Sequence, residues 1–304
     1  MSCSRLSSAR RFENDGHPEV YAVMADNVDT LYQHMAQAPL LVLTGAGIST
    51  ASGIPDYRDN DGVRRGNAPI MHQDFISSAA TRKRYWARAM VGWRGVHQAS
   101  ANPAHEALAS LQAQGLISGV ITQNVDGLHD AAGSRNVVEL HGNLHRVVCL
   151  DCGMHLRRDD VQLLLEEENP YLQDVHAVLA PDGDAQLAAR FLEAFHMPHC
   201  PCCGSDMLKP DVVFFGGGVE PVQAQAAWKA VEAAPGMLII GSSLMAYSSF
   251  RLCQEMSRQG KRLLAINLGK TRADGLLSVK VMQPCEEVLP SIAQRLLEGS
   301  AAST

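Results

Sequence analysis

Leu40–Thr44 (LLVLT) is an unbroken apolar run that stops at Gly45, the pattern of a strand buried on both faces of a parallel sheet. Gly119–Gln123 (GVITQ), Asn136–Leu140 (NVVEL), Gly236–Gly241 (GMLIIG) and Arg262–Leu268 (RLLAINL) repeat that pattern and predict four further strands. Between them the period changes. Asn102-Pro103 supplies an N-cap and a proline at the first helical position, Leu108 and Leu111 share one face, and Gly115 ends the segment. Val222–Ala234 and Glu286–Leu297 also read as helices, the second with Val288, Leu289, Ile292 and Leu296 on one side. Strands alternating with helices predict an α/β fold with a Rossmann-like, doubly wound parallel sheet.

Two stretches break the rhythm. Gly62–His97 has no clear strand and reads as a helical insertion rich in Arg, Lys, Tyr and Trp. His145–Leu208 is bracketed by cysteine pairs and holds Pro170, Pro181, Gly183 and a predicted helix at Ala185–Phe195. The expected organisation is a flexible leader at 1–26, a nucleotide-binding domain at 27–61, 98–144 and 209–299, a helical insertion at 62–97, and a small domain at 145–208.

Composition narrows the function. The 304 residues are 46% apolar and 19% charged, ordinary for a globular chain, and the net charge of −6 argues against a nucleic-acid binder. No apolar run approaches the ~18 residues of a membrane span. The start, MSCSRLSSARRF, lacks the apolar core of a secretory signal, so a cytoplasmic site is expected. Its arginines among serines leave a mitochondrial address as the alternative.

The eight cysteines therefore point to metal or free thiols. Cys149-x-x-Cys152 and Cys200-x-x-Cys203 have the spacing of two halves of a tetrahedral thiolate zinc site. Four thiolates leave no open position, so this zinc is structural. The knuckle Cys203-Gly204 sets the register and leaves Cys202 a bystander, while Cys253 and Cys285 read as packed thiols.

Other motifs point to a nucleotide. Gly45-Ala46-Gly47-Ile48-Ser49 follows its strand directly, as a phosphate-cradling turn would before a helix N-terminus. Thr50 stands where a dehydrogenase would carry its third glycine, and no acidic residue follows on a second strand, so hydride transfer is a poor fit. Gln123, Asn124 and Asp126 close a predicted strand at the sheet edge where ligands bind, suited to ribose hydroxyls and an amide. His141, followed by Gly142, has the chemistry of a general base near pH 7.

Together these residues resemble the sirtuin family, NAD-dependent protein-lysine deacylases. GAGISTASGIPDYR, TQNVDGLH, ELHG, the paired CxxC, KPDVVFFG, GSSL and NLG fall in the family's order from about Leu40 to Leu297. RYWARAMVGW at Arg84–Trp93 and LAPDGD at Leu179–Asp184 resemble its class II branch. The resemblance implies that Gly45, Ala46, Gly47 and Ser49 cradle the NAD phosphates, and that Ile54, Asp56, Tyr57 and Arg58 belong to a cofactor loop. Gln123, Asn124 and Asp126 would orient nicotinamide and its ribose, with Asn124 and Asp126 counted beside His141 as catalytic. Gly241, Ser242 and Ser243 would touch phosphate and ribose, and Asn267, Leu268, Gly269 and Cys285 the adenosine half.

The implied reaction joins the acyl oxygen of a modified lysine to the ribose, expels nicotinamide, and uses His141 as base to yield O-acyl-ADP-ribose. An acyl-lysine peptide would add as a strand between Val212, Val213, Phe214, Phe215 and the segment after Ser243. Tyr85 and Arg88 resemble a pair that reads acidic acyl groups. Two departures stand out: Gly217 replaces a usual acid, and Tyr57 a usual phenylalanine. The competing readings are an ADP-ribosyltransferase using the same NAD site and a non-catalytic zinc-stapled binding module.

Overall fold

The structure, a computed structural model, describes residues 18–65, 69–175, 187–188 and 190–301, with side chains from Asn27 to Gly299. Six parallel strands form the main sheet: β1 (Leu40–Thr44), β2 (Ile117–Thr122), β3 (Val138–Glu139), β7 (Gly236–Ile240), β8 (Arg262–Ile266) and β9 (Val279–Val281). Their order is β3-β2-β1-β7-β8-β9. The order reverses between β1 and β7, and the crevice beyond the carboxyl ends of these two strands is the ligand site of such a sheet.

Successive residues of each central strand face opposite sides. Val42, Leu238, Leu264 and Ile266 pack on one face with α1 (Pro18–Gln37), α4 (Pro103–Ala113) and α10 (Cys285–Ala301). Leu41, Leu43, Ile239 and Ala265 pack on the other with α8 (Pro221–Ala233) and α9 (Tyr247–Arg258). Both faces are covered, which is why these strands read as continuous apolar runs. The Asn102 side chain accepts from Ala104 N and caps α4 as expected.

The second lobe has its own sheet, β5 (His155–Arg157), β4 (Gly142–Cys149) and β6 (Leu208–Val212), paired antiparallel. Helices α2 (His72–Ser77) and α3 (Ala79–Gln98) of the insertion share one core with this sheet and with α6 (Arg158–Glu168): Phe75, Trp86 and Met90 meet Val147, Val161, Leu165 and Leu208. The two segments expected as separate units are therefore one lobe. Arg158 ties them further, buried against the faces of Trp86 and Trp93 at 5.4 and 4.9 Å and donating to Ala89 O.

Several boundaries differ from expectation. α1 begins at Pro18, inside the segment taken as leader. Of Asn136–Leu140 only Val138–Glu139 pairs in the sheet. β4 begins at Gly142, so the small lobe starts directly after His141. Of the helix expected at Ala185–Phe195, Arg190–Glu193 is helical (α7), and 185, 186 and 189 lie outside the described residues, as do 179–184. No helix among the described residues is long and apolar enough to cross a membrane.

Candidate active site

Gly45 and Gly241 end the two strands at the switch point, and their loops touch backbone to backbone. Gly45 N donates to Ile240 O at 3.0 Å and Gly47 N to Gly241 O at 2.8 Å. A Cβ on Gly241, whose φ is +59°, would lie 2.4 Å from Ile48 N. Only glycine permits this approach, and it brings the turn to the mouth of a cavity of about 830 Å³ between the lobes. The turn continues as two short 3₁₀ turns, Ala46–Ile48 and Thr50–Ser52, and not as the longer helix expected there.

The cavity collects most of the expected site. Gly45, Ala46, Gly47, Asp56, Tyr57 and Arg58 line one side. Gly241, Ser242, Ser243, Asn267, Leu268, Gly269 and Cys285 line another. Gln123, Asn124, His141, Tyr85 and Val212–Phe215 also line it. Ser49, Ile54, Asp126 and Arg88 do not line it.

Asp126 stands back from the cavity wall. It is buried behind the turn, where its carboxylate accepts from Ser49 Oγ at 2.7 Å and from Leu128 N at 3.0 Å, at the start of α5 (Leu128–Ala131). Ser49 Oγ in turn accepts from Asn124 Nδ2 at 2.9 Å. A hydrogen-bonded chain thus runs from Asp126 through Ser49 to Asn124, which lines the cavity. Gln123 is likewise a crosslink: its amide donates to Thr44 O and Ser242 Oγ and accepts from Ser249 Oγ. Asn124 lines the cavity, and its Oδ1 has no hydrogen-bond partner among the described residues.

His141 sits between the lobes, half-buried. Its Nδ1 is 3.0 Å from Gln123 O; a carbonyl only accepts, so Nδ1 carries the ring proton. Nε2 is then the basic nitrogen, and it accepts from Ser248 Oγ at 2.8 Å. Burial lowers the pKa of the ring below its ordinary value, with the Gln123 carbonyl opposing, which keeps a neutral base at pH 7. His141 O also accepts from Val213 N at 2.8 Å, tying the base to the segment expected to hold a peptide.

An aromatic wall stands beside it. Phe214 packs against Phe75 and Tyr85 with ring centres 5.1 and 5.3 Å apart. A Cβ at Gly217 would lie 3.0 Å from Phe214 O and 3.4 Å from the His72 ring, so a side chain there would press on α2. Cys285 places its thiol 3.7 Å from Gly47 O; burial and Glu286 push its pKa to about 12, so it stays protonated.

The four cysteines converge as expected. The sulfur atoms of Cys149, Cys152, Cys200 and Cys203 lie within 4.8 Å of one another, with Cys149–Cys203 at 3.6 Å and Cys152–Cys200 at 3.7 Å. Zn–S bonds of about 2.3 Å give a tetrahedral edge of roughly 3.8 Å, which this set fits. Cys202 lies outside the cluster.

Sequence reasoning missed Ser248, Tyr247 and Arg251 on the first turns of α9, and Arg64, whose guanidinium lies 4.7 Å over Phe215. The available cue was a polar start to a segment that then buries Leu252, Cys253 and Met256.

Switch-point cavity, glycine crossing and thiolate clasp define a nucleotide-binding α/β protein with a zinc-stapled lobe. Residues 45–248 match the model of the Sir2 family. An NAD-dependent protein deacetylase 3 of Pseudomonas syringae pv. tomato is 56% identical over 90% of this chain and 97% of its own length. An NAD-dependent protein deacetylase of Bordetella bronchiseptica is 50% identical over 83% and 92%. Among solved structures, a Sir2–p53 peptide–NAD+ complex is similar with a TM-score of 0.67 at 30% identity, over 90% of this chain and 99% of that one. The chain belongs to the Sir2 family.

Proposed function

We infer that this chain is an NAD-dependent protein-lysine deacylase that releases nicotinamide and O-acyl-ADP-ribose. The observation that carries the reading is His141: its tautomer is fixed by Gln123 O, and its basic Nε2 belongs to the cavity that the glycine crossing opens. NAD, when bound, supplies an activated ribose carbon with nicotinamide as leaving group.

The residues present fit that ligand. The open backbone of Gly45–Gly47 and Gly241 admits a pyrophosphate, Asn267 and Leu268 stand at the end suited to adenosine, and Asn124 offers a free carbonyl oxygen to a ribose hydroxyl. The acyl-lysine enters between Phe214–Phe215 and Met245–Tyr247, where Phe215, Met245 and Tyr247 are exposed. Phe214 and Tyr85 exclude water around the acyl chain, and His141 takes the proton of the attacking hydroxyl. The peptide adds by strand pairing, and the class II assignment rests on the Arg84–Trp93 tract alone among described residues. Four reduced thiols and an NAD supply fit a cytoplasmic site of action, with the mitochondrial matrix as the alternative.

Mass spectrometry of the zinc-loaded protein with NAD and acetyl-, succinyl-, glutaryl-, lipoyl- and longer acyl-lysine peptides tests this. O-acyl-ADP-ribose is the expected product. ADP-ribose left on protein, surviving His141→Ala, points to the transferase. The absence of NAD turnover on every peptide would refute both.

A further inference from the structure

His141 has no free lone pair. Nδ1–H is held by Gln123 O, and Nε2 is occupied by the hydroxyl of Ser248 at 2.8 Å. Ser248 lines the cavity, and its Oγ takes no hydrogen bond from any described residue, so its own lone pairs are open. A proton leaving a ligand in the cavity reaches the ring through this hydroxyl, or only after the hydroxyl is displaced.

The helix turn that carries this hydroxyl is pinned beside the ring. Ser248 stands in the first turn of α9, where its neighbour Ser249 donates to Gln123 Oε1 at 2.9 Å and to Ala246 O at 3.0 Å. Gln123 is the same residue whose carbonyl holds Nδ1. One residue at the end of β2 thus fixes both the ring and the helix turn that carries the hydroxyl. A hydroxyl also suits both charge states of its partner, donating to neutral imidazole and accepting from imidazolium. An amide or a carbonyl has no such freedom without turning over.

We propose that Ser248 relays the proton from the attacking ribose hydroxyl to Nε2 of His141. The ribose O–H bond breaks as a new Oγ–H bond forms on Ser248. In the same step the original Ser248 O–H bond breaks and an Nε2–H bond forms. The ring becomes imidazolium, steadied by Gln123 O at Nδ1, and the electron pair left on the ribose oxygen goes to the acyl carbon. Nicotinamide departure precedes this transfer and does not use the relay. The inference rests on the deacylase reading above, and it concerns only the second half of that reaction.

The test uses the full zinc-loaded chain with Ser248→Ala and Ser248→Thr. Without NAD, ¹⁵N resonances of His141 report the ring directly. Ser248→Ala should keep the Nδ1–H tautomer and move Nε2 toward an unbonded imine, and threonine should restore it. With NAD and an acyl-lysine peptide, the ratio of O-acyl-ADP-ribose formed to labelled nicotinamide exchanged should fall at least ~10-fold in Ser248→Ala, less than the roughly 10²–10⁴-fold of a whole general base because His141 itself remains, and recover in Ser248→Thr. The wild-type proton inventory should show two protons in flight and the alanine variant one. An unchanged product-to-exchange ratio, or a one-proton inventory in the wild type, overturns the relay. If the wild type exchanges no nicotinamide with any peptide, the deacylase reading fails first. An Nε2 resonance untouched by Ser248→Ala would then refute the Ser248 contact on its own.

Discussion

Asp126→Asn separates a carboxylate that contacts NAD from one that holds the site together. Asp126 is buried, and its two oxygens serve Ser49 Oγ at 2.7 Å and Leu128 N at 3.0 Å. Asparagine keeps one oxygen for Leu128. Its NH2 group then faces Ser49 Oγ, which already accepts from Asn124 Nδ2. The serine can accept a second N–H, but its own proton loses its acceptor. A hydrogen bond to a charged group contributes ~1.5–3 kcal/mol and the replacement returns part of it, so the net loss should be about 2 kcal/mol. At ~2–4 °C per kcal/mol for a domain of this size, the melting temperature should fall by about 4–8 °C. Ser49→Ala should reproduce much of that loss, and the double variant should be clearly less than additive because both changes break one network. The assay is calorimetry at fixed zinc, beside NAD turnover. A melting temperature within 1 °C of wild type together with lost turnover would place Asp126 on the ligand and refute the supporting role.

Other outcomes follow from the same geometry. Gly142 has φ +83°, and a Cβ there would lie 2.0 Å from Asp211 O, so Gly142→Ala should cost at least ~3 kcal/mol and break the β4–β6 register; wild-type denaturant unfolding would contradict this. Removing zinc by chelation, or by Cys152→Ser, should melt the core shared by α2, α3 and the small sheet, since a structural zinc contributes on the order of 10 kcal/mol; an unchanged calorimetric trace would refute the stapled lobe. Burial, with His105 adding, drops His129 from 6.5 to about 3, so it stays neutral in the fold while the unfolded chain takes a proton below 6.5. Its contribution is intact above pH 6.5 and is lost as pH falls toward 3, by up to ~1.4 kcal/mol per unit, so the stability gap between wild type and His129→Gln should narrow from pH 7 to pH 5; parallel slopes would refute it.

What the sequence made legible follows the range of the forces involved. β1, β7 and β8 are buried on both faces, so their apolar runs announce themselves, and Asn102-Pro103 announces α4 because capping is local. The cysteine pairs are legible because metal geometry dictates both residue type and spacing. β3 keeps only two paired residues, so its register depends on β2 more than on its own pattern. The shared core of insertion and small lobe joins Phe75 and Trp86 to Val161 and Leu208, contacts that no local period encodes. The motif TQNVD names the polar residues but not their sides: Asn124 reaches the cavity, Asp126 points behind it, and Gln123 spends its amide on three neighbours.

That division has a chemical consequence. Several polar groups at the inner wall of the cavity are satisfied by their neighbours before any ligand arrives. Ser49, Asp126 and Asn124 Nδ2 form one set; Gln123, Ser242 and Ser249 form another. Thr44 and Thr122 join β1 to β2 at 2.9 Å beneath both. Polar groups held this way need not reorganise when charge develops, which is where preorganised sites gain over water. Two acceptors left open beside these sets are informative. Asn124 Oδ1 and Ser248 Oγ both line the cavity with acceptor capacity unspent by the described residues. Two acceptors beside a neutral imidazole suit a ligand that arrives with hydroxyl donors and must lose one proton. A ribose, with its vicinal hydroxyls, has that character.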